Sequence, residues 1–191
     1  AYNIANQFIH YAVTENPVRF GPWRSVDHTQ HGFFVESFID ELAHKAGQDP
    51  LKYRLSLLVD KPRFLTVLDA VKKASKWGRT MPGGRGLGVA ITESFGTIVA
   101  QVVEVDVSRN IPKVLNVWAA ADPGFVVNPD GFTAQIESAI IYGLSAALYG
   151  DITIENGGVV QSNFHDYPVI RMDDAPVIAV ELVNSGAQLG G

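Results

Sequence analysis

The spacing of the apolar residues changes from helical to strand-like near residue 81 of this 191-residue chain, and that change limits the folds open to it. Before residue 81, apolar side chains recur at helical intervals. After the breaker MPGGRGLG, at residues 81–88, they alternate or form continuous β-branched runs. Because helices are followed by strands and then by a further helix, instead of alternating regularly with strands, we expect an α+β fold with a mostly antiparallel sheet and packed helices.

Local start and stop signals predict the individual elements. An N-cap followed by proline occurs at Asp49-Pro50 and again at Asn128-Pro129, and Gly47 is a plausible helix stop. The predicted helices are residues 30–46, 51–58, 62–77 and 128–149, and the predicted strands are residues 89–92, 97–107, 113–120 and 177–183. An Asn-Gly-Gly turn at 156–158 predicts a hairpin between 152–154 and 159–160, and residues 8–13 form a further β-like run before the Asn16-Pro17 turn.

The first predicted helix has a clear apolar stripe. Its members recur at helical spacing: Phe34, Phe38, Ile39, Leu42, Ala43 and Ala46. Asp40 and Glu41 fall on the other side, where we expect them to be solvated. We interpret residues 1–191 as one fragment of a single domain, with a mainly helical part at 1–80 and a part with sheet and helix at 81–191.

Composition excludes several classes of function. The chain is 47% hydrophobic and 18% charged, which is typical of a globular protein. Its net charge of -5 and the lack of a basic run argue against nucleic-acid binding. It contains no cysteine, so it holds no disulfide, thiolate metal site or cysteine-ligated iron-sulfur cluster. No apolar run approaches the roughly 20 residues that a transmembrane helix needs.

A constrained loop before the first helix is the best candidate for ligand binding. The loop sequence GPWRSVDHTQ, residues 21–30, places Arg24 and Gln30 six positions apart. Side-chain donors and backbone N–H groups at such a junction can surround an anionic, oxygen-rich ligand. The alternative is a salt-bridged surface arginine and a helix-capping glutamine.

Two further segments, residues 128–150 and 162–168, combine with this loop to give a family resemblance. Together they resemble the large, molybdopterin-binding subunit of the xanthine dehydrogenase and aldehyde oxidase family, and within it the isoquinoline 1-oxidoreductase beta-subunit type. The resemblance covers nearly the whole chain. It implies a molybdopterin-binding domain and a molybdenum hydroxylase that oxidises an aldehyde or an N-heterocycle with oxygen derived from water.

The resemblance also implies roles for individual residues. Arg24, Gln30 and Gln135 would contact the cofactor, and Val26 would line the substrate pocket, whereas no residue of this chain would be a metal ligand. Gln135 follows Asn128 by about two helical turns, and its amide can both donate and accept, which suits the mixed edge of a pterin. The alternative for Gln135 is an ordinary polar residue on a half-buried helix.

Other parts of the enzyme are implied to lie outside this sequence. The family's general base is a glutamate in a glycine-rich segment, expected just beyond Gly191, so this chain would contain no catalytic residue and would be inactive and largely without cofactor by itself. The cofactor would be molybdopterin, either as such or as its cytosine dinucleotide. Electrons would leave through an iron-sulfur small subunit.

Competing interpretations rest on other residues. His165-Asp166 could be half of a hydrolase triad, but no Gly-x-Ser-x-Gly elbow accompanies it, and a structural loop is favoured. The spacing of His28 and His31 lacks the other features of a zinc site. The Asp122-Pro123-Gly124 turn is predicted to be structural. A non-catalytic module that packs between domains is the remaining alternative.

Overall fold

A computed structural model describes residues 2–15, 18–19, 21–109 and 111–191. The helices are α1 (His28–Lys45), α2 (Pro50–Leu57), α3 (Pro62–Ser75) and α4 (Pro129–Tyr149), and a short 3₁₀ helix spans Met172–Asp174. The strands are β1 (Arg85–Ser94), β2 (Thr97–Asp106), β3 (Lys113–Asp122), β4 (Ile154–Glu155), β5 (Gly158–Val159) and β6 (Val177–Leu182). The predicted Asn16-Pro17 turn lies outside the described residues.

The helix boundaries follow from their capping residues. The Asp49 carboxylate accepts hydrogen bonds from the N–H groups of Leu51 and Lys52 at 3.1 and 2.9 Å, and Asn128 accepts one from Gly131 at 2.9 Å. These caps confirm both predicted helix starts. Gly47, at φ +63°, follows the end of α1 as predicted.

The main sheet has the strand order β1-β2-β3-β6. β1, β2 and β3 pair antiparallel, whereas β6 pairs parallel to β3 after the chain has returned through α4. β4 and β5 form a separate hairpin, and its Asn156-Gly157 turn has φ values of +51° and +80°. The prediction of an α+β fold with a mostly antiparallel sheet is confirmed.

Each face of the sheet packs against a different helix. Ile98, Ala100 and Val102 of β2 join the core formed with α3. The intervening positions Val99 and Val103 pack with Ile136 and Ile140 of α4. The two-residue alternation of β2 therefore places α3 and α4 on opposite faces.

Helix α1 covers the edge of the sheet, and the prediction of its buried stripe was partly wrong. Ile39 and Ala43 are buried, but Phe34 and Phe38 are 59% and 56% exposed. The buried side instead includes Glu36, whose carboxylate accepts a hydrogen bond from the Ile91 N–H of the edge strand at 2.9 Å. An unpaired strand edge needs polar partners, which a purely apolar stripe does not supply.

The prediction that Asp40 and Glu41 are solvated was partly wrong, because Glu41 is exposed but the Asp40 side chain, although 46% exposed, is ion-paired. Its Oδ1 accepts a hydrogen bond of 2.6 Å from Nη1 of Arg54, which is fully buried. Arg54 also donates to Glu36 Oε2 at 2.9 Å, so these charges tie α1 to α2. A buried guanidinium must be paired, and Asp40 is within reach of it.

The β-like run at residues 8–13 is not a strand. Phe8, Ile9, Tyr11 and Val13 are 82 to 91% exposed, and the segment has no regular secondary structure. Strand propensity without a pairing edge does not form a strand. None of the described helices is long and apolar enough to cross a membrane.

Candidate functional site

The loop that carries Arg24 has an unusual backbone. Ser25 and Val26 both lie in the left-handed region, with φ values of +67° and +47°. For a β-branched residue such as Val26 this conformation costs on the order of 1–3 kcal/mol. Hydrogen bonds from the Val26 N–H to Trp23 O at 2.9 Å and from the His28 N–H to Ser25 O at 3.0 Å hold the turn.

Three side-chain contacts dock this loop onto the sheet and α4. The Trp23 and Tyr142 rings lie 4.9 Å apart between their centroids, which joins the loop to α4. The Ser25 and Ser94 hydroxyls are 2.6 Å apart, which joins it to the end of β1. His28 meets Phe95 edge-on at 5.5 Å. The loop is therefore fixed at both ends.

The structure brings two of the predicted cofactor contacts together. Nη2 of Arg24 donates a hydrogen bond of 2.9 Å to Oε1 of Gln135. Gln135 lies on α4, near the end that starts at Asn128, and both side chains are exposed. A guanidinium and an amide thus stand side by side at the surface, where both can bind a ligand.

Two adjoining cavities open beside Arg24. The smaller, about 450 Å³, is lined by Arg24, and the larger, about 770 Å³, extends between α1 and the β1 edge. They share Ser25, Thr29, Thr92, Val99, Gln101 and Ala139. Their volumes lie in the range of small-molecule and cofactor sites.

Gln30 and Val26 lie apart from these cavities. Gln30 is in the first turn of α1 with an exposed side chain, and Val26 is 48% exposed. The described residues that line the two cavities include neither of them, nor Gln135, which is connected to the smaller cavity through its hydrogen bond to Arg24. Their predicted roles remain predictions.

Polar lining residues that the sequence did not reveal complete the smaller cavity. Thr29 and Gln101 contribute a hydroxyl and an amide, and Gly191 contributes backbone. Gln101 was detectable as the polar residue that interrupts the apolar run 98–103 of β2, whereas the position of Gly191 depends on long-range contacts.

The donor set of the smaller cavity suits an organic cofactor more than a protein-ligated metal. Among the described residues that line it are a guanidinium, an amide and several hydroxyls, but no carboxylate or imidazole. In the described part of the chain, no group of three or more His, Cys, Asp or Glu could hold a metal ion. A pterin, with its mixture of donors and acceptors, matches this lining.

Glu36, which lines the larger cavity, is committed to structural contacts. Its carboxylate accepts hydrogen bonds from the Tyr2 hydroxyl at 2.7 Å, from Arg54 at 2.9 Å and from the Ile91 N–H at 2.9 Å. Burial, together with the charge of Glu36, raises the pKa of the Tyr2 hydroxyl well above its ordinary value. We therefore assign Glu36 to the fold and not to proton transfer.

The His165-Asp166 pair does not have the geometry of a hydrolase. Its Nε2–Oδ2 distance is 3.5 Å, and the imidazole is 73% exposed. The Asp166 carboxylate instead accepts hydrogen bonds from the N–H groups of Ser162 and Asn163 and from the Ser162 hydroxyl. These bonds hold the Asp166 pKa below its ordinary value, and they fit the predicted structural loop. In a hydrolase triad, the serine contacts the imidazole and the imidazole contacts the carboxylate. Here Ser162 contacts Asp166 directly, so no triad is formed.

Comparisons with known proteins give a family. The family described as the molybdopterin cofactor-binding domain matches residues 62–176. The chain is 37% identical to the beta subunit of isoquinoline 1-oxidoreductase from Brevundimonas diminuta, over 100% of this chain and 25% of that one. It is 32% identical to a subunit of nicotinate dehydrogenase from Pseudomonas putida, over 91% and 16% respectively.

A solved structure is also similar. Quinoline 2-oxidoreductase from Pseudomonas putida 86 aligns over 49% of this chain and 12% of that chain, with 24% identity and a TM-score of 0.43. The chain spans a quarter or less of the length of these relatives. The family match covers more than half of the chain, and the predicted resemblance is thereby confirmed: this chain belongs to the molybdopterin cofactor-binding domain family of oxidoreductases.

Proposed function

We propose that this chain forms part of the cofactor site of a molybdenum hydroxylase that oxidises an aldehyde or an N-heterocycle with oxygen from water. The observation that carries the proposal is the Arg24–Gln135 hydrogen bond of 2.9 Å beside the smaller cavity. The names of the relatives, an isoquinoline oxidoreductase and a nicotinate dehydrogenase, support an N-heterocyclic substrate.

The residues of this chain would bind and orient. Arg24 and Gln135 would hold the polar edge of molybdopterin or of its cytosine dinucleotide. From the cavity wall, the Gln101 amide would add hydrogen bonds, and the Thr29 hydroxyl, which donates to Arg24 O at 2.7 Å, would accept one. When bound, the cofactor supplies the redox chemistry of the reaction. Gln30 and Val26 keep their proposed roles as a further cofactor contact and a wall of the substrate pocket.

The catalytic base and the electron acceptor are proposed to lie on other segments. The Gly191 backbone lines the cavity of Arg24, so a glutamate in the glycine-rich segment would arrive next to the cofactor contacts. Because this sequence contains no cysteine, an iron-sulfur partner chain would carry the electrons away. The relatives are themselves named as subunits, which supports a partner chain.

Purification of the protein from its complete gene, with any partner that co-purifies, tests the proposal. We expect about one molybdenum per protein by elemental analysis, oxidation of isoquinoline, nicotinate or an aldehyde with an artificial acceptor, and incorporation of ¹⁸O from labelled water. Molybdenum-free protein without turnover would contradict the proposal.

A second candidate is a non-catalytic module that packs between domains. The observation that favours it is the aromatic surface of α1, where Phe33, Phe34 and Phe38 are 56 to 70% exposed. Substitution of Phe34 and Phe38 by serine separates the two candidates. A packing module predicts loss of assembly with no molybdenum in either protein, whereas the cofactor site predicts molybdenum in the unsubstituted protein.

A further inference from the structure

Arg63, in the first turn of α3, joins two chain segments that end near the Arg24 cavity. Its Nε donates to Asp122 Oδ2 at 2.6 Å, and its Nη2 donates to the carbonyls of Asp122 and Gly96, each at 3.1 Å. Asp122 ends β3 and is fully buried, and Gly96 lies in the turn between β1 and β2. One guanidinium thus fixes a strand end and a turn together.

The second carboxylate oxygen of Asp122 holds a third segment. Asp122 Oδ1 accepts hydrogen bonds from the Gly124 N–H at 2.9 Å and from the Ser185 hydroxyl at 2.8 Å. The Gly186 N–H in turn donates to the Gly124 carbonyl at 2.8 Å. The residues after β6 are therefore anchored through the same ion pair.

The anchored segment ends against the turn that Arg63 holds. The Gly191 N–H donates to Phe95 O at 2.9 Å, and the Gly190 N–H donates to Pro123 O at 2.8 Å. A Cβ on Gly190 would lie 2.7 Å from the Thr97 nitrogen, so the two backbones touch. Phe95 and Gly191 both line the smaller cavity with Arg24.

We propose that Arg63 is a positioning residue for the cofactor site: it sets where the glycine segment 184–191 and the Phe95-Gly96 turn lie relative to Arg24. Its own side chain contacts the carboxylate and the carbonyls, and it acts on the cavity through them. The effect on cofactor rests on the proposed function, whereas the effect on the glycine segment does not.

Arg79, just beyond the other end of α3, provides a matched control. Like Arg63, its side chain is 28% exposed and it pairs with a buried carboxylate, here Glu104 at 2.9 Å. It also lies over the Trp118 ring at 5.1 Å. Its side-chain contacts in the described structure are Ser75, Glu104 and Trp118, and they include neither Asp122 nor Gly96, the two residues that Arg63 holds. Both substitutions should therefore lower the general stability of the protein. Only the substitution of Arg63 should also displace segment 184–191 and the Phe95-Gly96 turn.

The test compares Arg63→Leu, Arg63→Lys and Arg79→Leu in the protein expressed from its complete gene. Hydrogen exchange is followed by mass spectrometry on peptides that cover 94–97 and 184–191, and molybdenum is measured after gel filtration. We expect Arg63→Leu to accelerate exchange in both peptides on the order of tenfold and to lower the retained molybdenum. Arg79→Leu should accelerate exchange in both peptides clearly less than Arg63→Leu and should leave the retained molybdenum unchanged.

Arg63→Lys keeps the proposal testable if the leucine variant does not fold. An ammonium can pair with Asp122 but cannot also fork to the two carbonyls, so exchange should rise less than in Arg63→Leu. Equal exchange in the Arg63 and Arg79 variants, or no change in peptide 184–191, would overturn the proposal. Unsubstituted protein without molybdenum would instead count against the proposed function, and the exchange result would still judge the positioning role.

Discussion

Arg24 and Gln135 are 111 positions apart in the chain and meet through one hydrogen bond. Because both side chains are exposed, that bond contributes little to folding. The loop that carries Arg24 nevertheless holds the next two residues, Ser25 and Val26, in the left-handed region, which costs free energy. The strained loop, which places an exposed arginine beside an amide, therefore supports the proposed role of Arg24 in ligand binding.

Replacement of Arg24 should separate binding from folding. In the complete protein, we expect Arg24→Ala to lower turnover at least about tenfold, because a charge-assisted donor is lost, while the free energy of unfolding changes by no more than about 0.5 kcal/mol. Arg109→Ala, at an exposed arginine just after β2, is the control and should leave turnover unchanged. A parallel loss of melting temperature would make Arg24 structural.

Replacement of Gln135 tests the second contact. Gln135→Leu preserves helix propensity but removes every hydrogen bond of the amide. We expect less molybdenum to be retained through gel filtration, at an unchanged melting temperature. Glu137→Leu changes another exposed polar residue of α4, one that lines a different groove, and should retain the metal. Full metal content in Gln135→Leu would argue that this residue only packs.

At the scale of the elements, the local sequence shows that both faces of the sheet are covered, whereas the path of the whole chain decides which helix covers which face. The nearly continuous apolar run IVAQVV at 98–103 of β2 is visible in the sequence, and it already requires a cover on both faces. Which helix covers which face is decided by the chain's return through α4 to the parallel strand β6. The Asp122-Pro123-Gly124 turn, directly after β3, connects these elements, because Asp122 contacts both Arg63 of α3 and Ser185 after β6.

The close backbone contact at Gly124 can be tested against an open glycine. Gly124 has φ +85°, and an added Cβ would overlap Gln188 O and lie 2.7 Å from Ala187 O. Gly157 has φ +80° but nothing within 4 Å. Both alanine variants share the cost of the left-handed backbone. We expect Gly124→Ala to lose about 1–3 kcal/mol more in urea unfolding. Equal losses of unfolding free energy in the two variants would show that the backbone near residue 188 moves away from the added Cβ without a further cost.

The lowered pKa of Asp122 predicts that acid destabilises the fold around the turn after β3. Burial raises the Asp122 pKa, but hydrogen bonds from Arg63, the Gly124 N–H and Ser185 outweigh it and hold the pKa below its ordinary value of 3.8. A depressed folded-state pKa contributes stability above the unfolded value, and that contribution is lost as the pH falls through the folded value. We expect the free energy of unfolding to fall below about pH 4, and to fall less steeply in Asp122→Asn. Parallel curves would contradict this.

For the molecule as a whole, the openness of the site leads to a prediction about the 191 residues by themselves. Arg24 and Gln135 are exposed, and catalysis needs donors and a base held around one reacting atom in a site that excludes water. We expect the purified chain to fold but to hold little molybdenum and to oxidise neither aldehydes nor N-heterocycles. Stoichiometric metal with turnover would show that the site lies elsewhere.

The sequence by itself determined the features that depend on neighbouring residues. The helix starts at Asp49-Pro50 and Asn128-Pro129 and the Asn156-Gly157 turn were all predicted correctly, because each depends on a few consecutive residues. The family resemblance was also readable from local motifs. Residues 8–13 had the composition of a strand, but composition could not supply a pairing edge.

Only the tertiary structure decided which of these local elements meet. It buried Glu36 and exposed Phe34 on α1, because the sheet edge needed a hydrogen-bond acceptor and Arg54 needed a counter-charge. It also brought Arg63 to Asp122, and Arg24 to Gln135, across separations of 59 and 111 residues. Spacing along the chain carries no signal for such pairs, since their geometry follows from the packing of the whole sheet between its helices.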